Sequence, residues 1–258
     1  MIYNIKFGKM KIFLRSDIVD DYWVFEGLLY ADEYYPIKAK KDDVVLDVGA
    51  NIRIFTLNIA KKVSRVISIE PEPGNFSILS KNISANNLHN VTLLNIAASD
   101  KEGTVYFQST GGSVQVSNTG IPVKAEPLDH ILEELGNPKV TILKMDIEGY
   151  EGKVLSRFHK YDNIKQVIME THSKELTDEV KEILSRHGFL IVDVSRIKRS
   201  KVIKNIILHP FAFFNAERKN RYNTLKQVFK YLIHHDHSPV ASDNPNSEQR
   251  LLYAYKQK

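Results

Sequence analysis

Hydrophobic and polar positions change rhythm at Asp43. Before it, "IYNIKF" and "MKIFLR" alternate as short strands do, and "YWVFEGLLYADEYYP" then gathers aromatic residues up to Pro36. Tyr22, Trp23, Phe25, Tyr30, Tyr34 and Tyr35 are candidates either for a cover over a pocket or for ordinary packing. After Asp43, apolar runs bounded by turn residues alternate with stretches of helical spacing. The runs "VVLDVG", "RVISIEP", "VTLLNIAA", "VTILKMDIEG", "IKQVIMETH" and "FLIVDVS" read as strands buried on both faces. One helix is predicted over roughly 53–63, with Ile54, Leu57 and Ala60 in register. Another spans roughly 73–86, with Phe76, Leu79 and Ile83 on one stripe and Asn86-Asn87 to close it. A third opens at "YEGKVLSRF". A fourth is capped by Ser173, carries Leu176, Val180, Ile183 and Leu184, and ends at Gly188. "GTVYFQS" and "GIPVKAEPLD" are extended pieces around "STGGSVQVSNTG", which reads as a flexible hairpin region.

Strands alternating with helices imply an α/β fold, a mostly parallel sheet with helices on both faces. Residues 198–247 break the alternation with basic "KRSKVIK", aromatic "HPFAFF", the helical pattern "YNTLKQVFKYLIHH" and loop-like "SPVASDNPNSEQ". "RLLYAYKQ" then returns as a strand. The expected organisation is N-terminal strands and aromatic cover over 1–42, then one domain over 43–258 with an insertion at about 198–247.

The totals narrow the chemistry. With 258 residues the chain can bury a sizeable core, and its lack of cysteine excludes disulfides, thiolate metal sites and cysteine nucleophiles. No apolar run reaches the roughly 18 residues of a membrane span, and the start has no signal-peptide pattern, so a cytoplasmic protein is expected. The net charge of +5 permits a phosphate-bearing or nucleic-acid partner without requiring one.

In an open parallel sheet, ligands sit beyond the carboxyl ends of the strands. Gly49 directly follows the first strand of the alternation, where it lets the backbone turn and approach a ligand, and the following helix start offers N–H groups. Glu70 ends the next strand, 21 residues on, where a carboxylate can accept from both hydroxyls of a ribose. Gly49-Ala50-Asn51-Ile52-Arg53-Ile54 has only the first glycine of a dinucleotide loop, which disfavours a pyrophosphate. S-adenosylmethionine, which carries a ribose and an amino-acid end but no phosphate, suits the loop better. Asp47 and the carbonyls near Gly49 suit its ammonium.

These pieces resemble the FkbM-type S-adenosylmethionine-dependent methyltransferases. The likeness rests on "DVGANIRIFTL", "ISIEPEPGNFSIL", "NVTLLNIAASDKEGTVYF", "EPLDHIL", "ILKMDIEGYEGKVL" and "VIMETH", in that order, over roughly 43–172. The resemblance implies a Rossmann-like class I methyltransferase fold with a seven-stranded sheet whose last strand is antiparallel. It also implies methyl transfer to a hydroxyl of a small molecule, sugar or glycan. By position, Asp47, Gly49, Ala50 and Asn51 would line the methionine end and Glu70 would hold the ribose. Ile96 and Ala97 would border the adenine, and Asp146 would stand near the methyl group. Arg53 departs from the family, which usually has glycine there. Its guanidinium either pairs with the methionine carboxylate or fills the pocket, leaving a non-catalytic binding protein.

A hydroxyl acceptor needs a base. "MDIEGYE" places Asp146 and Glu148 near one strand end, and "METH" places Glu170 and His172 near the next. His172 titrates near neutrality and is the preferred base, with Asp146 second. The same carboxylates offer oxygen ligands to magnesium, a less favoured alternative. "HHDH" at 234–237 reads as a surface cluster. Lys198, Arg199, Lys201, Phe211, Phe213, Phe214 and Tyr222 could grip nucleic acid, which makes an RNA methyltransferase the second reading.

Overall fold

The computed structural model describes residues 1–16, 18, 21, 34, 36–52, 54–110, 113–117, 119–194 and 248–257. The insertion, the HHDH cluster, Arg53 and, of the aromatic residues from Tyr22 to Tyr35, all except Tyr34 lie outside the described residues. Two short strands open the chain, β1 (Ile2–Phe7) and β2 (Met10–Arg15), paired antiparallel with Phe7 opposite Met10. The αβ alternation follows with β3 (Val44–Val48), α1 (Ile54–Ile59), β4 (Arg65–Ile69), α2 (Pro73–Ala85) and β5 (Val91–Leu94). A smaller sheet interrupts it, built from β6 (Ala97–Ala98), β7 (Gly103–Thr110), β8 (Ser113–Ser117) and β9 (Ile121–Glu126). Then come α3 (Leu128–Glu134), β10 (Ile142–Met145), α4 (Glu151–Ser156), β11 (Gln166–Thr171), α5 (Lys174–Arg186), β12 (Leu190–Asp193) and β13 (Arg250–Tyr255).

Among the described residues the main sheet has seven strands, in the order β12-β13-β11-β10-β3-β4-β5. β3 pairs in parallel with β4 and β10, while β13 runs antiparallel to both β11 and β12. Both faces are covered, which is why the central strands read as unbroken apolar runs. On one face Val45, Val66 and Ile142 meet Phe55 and Ile59 of α1. On the other, Leu46, Ile67, Leu143 and Val167 meet Leu128 and Ile131 of α3, Val154 and Leu155 of α4, and Val180 and Leu184 of α5. Tyr34 packs edge-on against Phe55, ring centroids 4.7 Å apart, so this one aromatic residue supports α1 by packing.

Several boundaries differ from the sequence reading. "VTLLNIAA" is not one strand: β5 stops at Leu94, and Asn95 donates to the carbonyls of Glu70 (2.8 Å) and Pro71 (2.9 Å). Those bonds turn the chain out of the main sheet into β6, which pairs with β9. The Gly/Ser/Thr-rich stretch contains a regular strand, β8, antiparallel to β7. Helix α1 is shorter than predicted, ending at Ile59. The ends of α5 match the expectation: Ser173 Oγ accepts from Leu176 N at 3.1 Å, and Gly188 takes φ +78°.

The N-terminal hairpin is tied to α2 by asparagine side chains that serve an unpaired strand edge. Asn86 accepts from Lys11 N (3.0 Å) and donates to Lys11 O (2.7 Å). Asn82 repeats the pattern with Phe13, accepting at 2.7 Å and donating at 3.2 Å. Asn75 accepts from Arg15 Nη2 at 2.6 Å, and Asp21 holds the same guanidinium. An edge strand presents backbone groups that must find partners, and here the amides of Asn82 and of the C-cap residue Asn86 supply them. Asn82 also donates to Ile52 O at 3.4 Å, so the hairpin is linked to the Gly49 loop. Replacing fully buried Asn82 by alanine is expected to cost about 1–3 kcal/mol in urea unfolding. A change below about 0.5 kcal/mol would mean that these bonds do not hold the hairpin.

Candidate active site

Four chain segments end at one edge of the main sheet: Gly49 after β3, Glu70 after β4, Asp146 after β10 and His172 after β11. The strand order reverses between β3 and β10, the point at which open sheets of this kind hold their ligands in a crevice. Gly49 lies in it with φ +73°, so tightly packed that a Cβ would come within 1.8 Å of the Asp146 carbonyl oxygen. Glycine is therefore required by both conformation and space.

Glu70 is only 4% exposed, and its carboxylate accepts from Asn51 N (2.6 Å) and Glu72 N (2.9 Å). Burial pushes its pKa up to about 7, against the lowering effect of those two amides. The carboxylate thus holds the turn at Asn51, itself left-handed at φ +50°, while retaining lone pairs for further donors.

The loop amides are not free. Gly49 N and Ala50 N both donate to Ile69 O, at 3.0 and 2.9 Å, and Ile52 N donates to Asn51 Oδ1 at 2.6 Å. These bonds belong to the loop ahead of α1 and not to the first turn of the helix itself. Asp47 also departs from expectation. It is fully buried, its Oδ1 stands 3.2 Å from Lys144 Nζ, and its Oδ2 accepts from Thr56 Oγ1 at 2.5 Å. Lys144 Nζ also donates to Gly49 O at 2.6 Å. The ammonium assigned by sequence to a ligand is thus supplied by the protein's own lysine, because β10 sets Lys144 directly beside Asp47. Ile96 is half-buried against the main core and Ala97 is buried in the small sheet's core.

Asp146, Glu148 and His172 converge, with one ligand-type atom of each within 4.8 Å of the others. His172 Nε2 lies 3.3 Å from Asp146 Oδ1. Its Nδ1 lies 3.1 Å from Gln249 Nε2 and 3.7 Å from Glu148 Oε2. Glu148 does not reach this point by strand alternation. It sits in a left-handed turn, φ +56°, with Gly149 at φ +98°. Glu151 holds that turn: its buried carboxylate accepts from Ile147 N (2.8 Å) and Gly149 N (3.0 Å). Burial raises the pKa of Glu151, opposed by the amides of Ile147 and of Glu151 itself and by the charge of His172. Burial alone would pull His172 down, but Asp146, by hydrogen bond and charge, with Glu148 and Glu170, lifts its pKa to about 9. Strand β11 and the Ser173 cap fix His172 from both sides, and Thr171 Oγ1 meets Thr177 Oγ1 at 2.7 Å.

Lys144, Glu151 and Gln249 were not singled out from sequence. Glu151 had a signal, a second acid three residues beyond Glu148 at a helix start. Gln249 had none, since 77 residues separate it from His172.

A sheet in this order, with an acid after β4 and an acid–histidine pair across the switch point, defines a Rossmann-like class I methyltransferase. The methyltransferase FkbM domain matches residues 47–191, and the chain belongs to that family. The hexuronic acid methyltransferase AglP of Haloferax volcanii is 28% identical over 170 residues, covering 64% of this chain and 70% of that protein. The 31-O-demethyl-FK506 methyltransferase FkbM of Streptomyces tacrolimicus is 27% identical over 235 residues, covering 74% and 86%. Methyltransferase FkbM from Methylobacillus flagellatus KT, a solved structure, superposes with a TM-score of 0.44 at 20% identity. That superposition covers 61% of this chain and 41% of the other.

The titrations have a definite sign. Folded Glu70 holds its proton to about pH 7 rather than 4.5, and folded His172 to about 9 rather than 6.5. Each contribution is complete below the lower value and lost as pH rises through the higher. Ligand-free stability should therefore fall between about pH 7 and 9, by on the order of 3 kcal/mol from His172. NMR titration should place His172 near 9, and Asp146→Asn should bring it back toward 6.5. Gly49→Ala should destabilise by roughly 2–5 kcal/mol in denaturant unfolding.

Proposed function

We propose that this methyltransferase uses S-adenosylmethionine to methylate a hydroxyl of a sugar, glycan or other hydroxylated small molecule. The observation that carries this reading is the His172–Asp146 pair, Nε2 to Oδ1 at 3.3 Å, beside the Gly49–Glu70 crevice. A carbon or sulfur acceptor has less need of a base held this way, whereas a hydroxyl must lose its proton as it attacks. The names of two relatives, a hexuronic acid methyltransferase and a 31-O-demethyl-FK506 methyltransferase, support the acceptor class.

The residues suit the cofactor. Glu70 presents a buried carboxylate that accepts from two amides and has lone pairs left for hydroxyl donors, as a ribose requires. Gly49 leaves out a side chain where the backbone approaches the Asp146 carbonyl. Bound there, S-adenosylmethionine supplies an electrophilic methyl group. Asp146 fixes the proton on His172 Nε2, and His172 Nδ1 is then the nitrogen that takes the acceptor's proton. Gln249 and Glu148 border Nδ1: the amide nitrogen at 3.1 Å donates to it in the neutral imidazole, and the carboxylate at 3.7 Å can stabilise the imidazolium. Glu151 keeps the 147–149 turn in place while this happens.

Because the imidazolium predominates at neutral pH, kcat/KM is expected to rise with pH and level off near 9. His172→Gln should lower kcat by roughly 10²- to 10⁴-fold with S-adenosylmethionine affinity by calorimetry largely unchanged. Glu70→Ala should weaken that affinity on the order of 10- to 100-fold. Failure of the unaltered protein to bind S-adenosylmethionine would sink the reading. So would methylation of RNA in preference to uronic-acid glycans.

A further inference from the structure

The base shares its proton-accepting nitrogen with a neutral side chain. The ladder between β11 and β13 pairs Glu170 with Leu251 and Thr171 with Arg250, and the next pair in that register is His172 and Gln249. Their side chains meet, with Gln249 Nε2 at 3.1 Å from His172 Nδ1. The backbone that carries Gln249 is pinned on both sides. Thr171 Oγ1 reaches the Arg250 carbonyl (3.5 Å), Lys174 N donates to Glu248 Oε2 (3.1 Å), and Arg250 Nη1 donates to the Gln249 carbonyl (2.7 Å). Strand register therefore delivers the carboxamide to the ring, and only its own side-chain torsions need change to move it away.

A neutral imidazole has one accepting nitrogen, with a single lone pair in the ring plane. Asp146 engages Nε2 at 3.3 Å, so Nδ1 is the nitrogen left to take a proton. The Gln249 amide fills the place from which a hydroxyl would give one. It can stay there in either charge state: its N–H donates to the neutral ring, and, turned over, its oxygen accepts from the imidazolium. The charged groups that face the ring are Asp146 after β10, Glu148 and Glu151 about the 147–149 turn, and Glu170 on β11. Each of these carboxylates favours the imidazolium, whereas Gln249 bears no charge and leaves none stranded when it moves. We infer that Gln249 is a positioning residue that occupies Nδ1 of His172 and yields it to the acceptor hydroxyl, an inference that rests on the hydroxyl-methylation reading above. A water molecule gains little by replacing a bond already made, while an acceptor anchored by further contacts can displace it. Gln249 thus keeps the base oriented and reserves it for a bound acceptor.

The test uses the full chain with S-adenosylmethionine as donor and a hexuronic-acid disaccharide as acceptor, together with an NMR titration of His172 that needs neither. Gln249→Ala should lower the acceptor KM by about threefold to tenfold, a larger change than in kcat. Gln249→Glu, whose carboxylate would hold the proton on Nδ1, should raise the His172 midpoint by about one pH unit and carry the rise of kcat/KM with it. That variant also serves should Gln249→Ala fail to fold. An acceptor KM that is unchanged or higher in Gln249→Ala would overturn the inference, since the amide would then not compete with the acceptor. An unmoved His172 midpoint in Gln249→Glu would overturn it too, because the side chain would then not reach Nδ1. Absence of methyl transfer by the unaltered protein would take the displacement down with the hydroxyl reading, while the midpoint alone still decides whether Gln249 sits on Nδ1.

Discussion

The crevice depends on one buried charge pair. Lys144 is 1% exposed in the centre of the sheet, and its ammonium reaches Asp47, the Gly49 carbonyl at 2.6 Å and the Val48 carbonyl at 3.3 Å. A lysine on a strand covered on both faces is tolerated only when its charge is paired and its donors used. The pairing runs across three strands, because Lys144 lies beside Asp47 and Asp47 beside Ser68. Thr56 closes the row from α1, donating to Asp47 and meeting Ser68 Oγ at 2.7 Å. Truncating one member would strand a charge at a cost of about 3–5 kcal/mol. It would also release the carbonyls that set the turn at Gly49.

Held there, the turn does two things. Its glycine packs against the Asp146 carbonyl, so the ends of β3 and β10 are positioned together. Its Asn51 amide engages Glu70, so the end of β4 is positioned with them. The acid assigned to the ribose and the acid that orients His172 are thus parts of one rigid backbone arrangement. Side chains on strand ends and cap positions are held more closely than side chains on long loops. Glu151 extends the same logic to the 147–149 turn by satisfying two amides from a helix start.

Much of this was legible from sequence, in proportion to how far each feature is local. Apolar runs marked the central strands because burial on both faces leaves no alternation to misread. Glu70 and Asp146 were visible as polar residues ending such runs. Lys144 was not, because hydrophobic pattern reports burial and is silent on pairing; its partner Asp47 lies 97 positions earlier and meets it only through strand register. The same absence of pairing information hid the Lys144 partner of Asp47. The split of "VTLLNIAA" was hidden for a related reason. Asn95 breaks the strand through side-chain bonds to the end of β4, a tertiary event that propensity does not encode. The FkbM resemblance placed β13 antiparallel, which the alternation alone would have drawn as another parallel strand.

The charges at the crevice argue for the kind of molecule that enters it. The chain carries +5 overall, yet the described groups around His172 are Asp146, Glu148, Glu151 and Glu170, with Glu70 across the switch point. The hydrogen bond and charge of Asp146, with the charges of Glu148 and Glu170, outweigh burial at His172 and hold its proton to about pH 9. Such a field attracts a cationic sulfonium and an ammonium, and it repels a phosphodiester brought to the same place. It also ties acceptor activation to cofactor binding: positive charge arriving beside the imidazolium lowers its pKa and favours the neutral base. On the proposed function, proton uptake from a hydroxyl would be easiest with the methyl donor already in place, so the acidic lining would both recruit a cation and time the base.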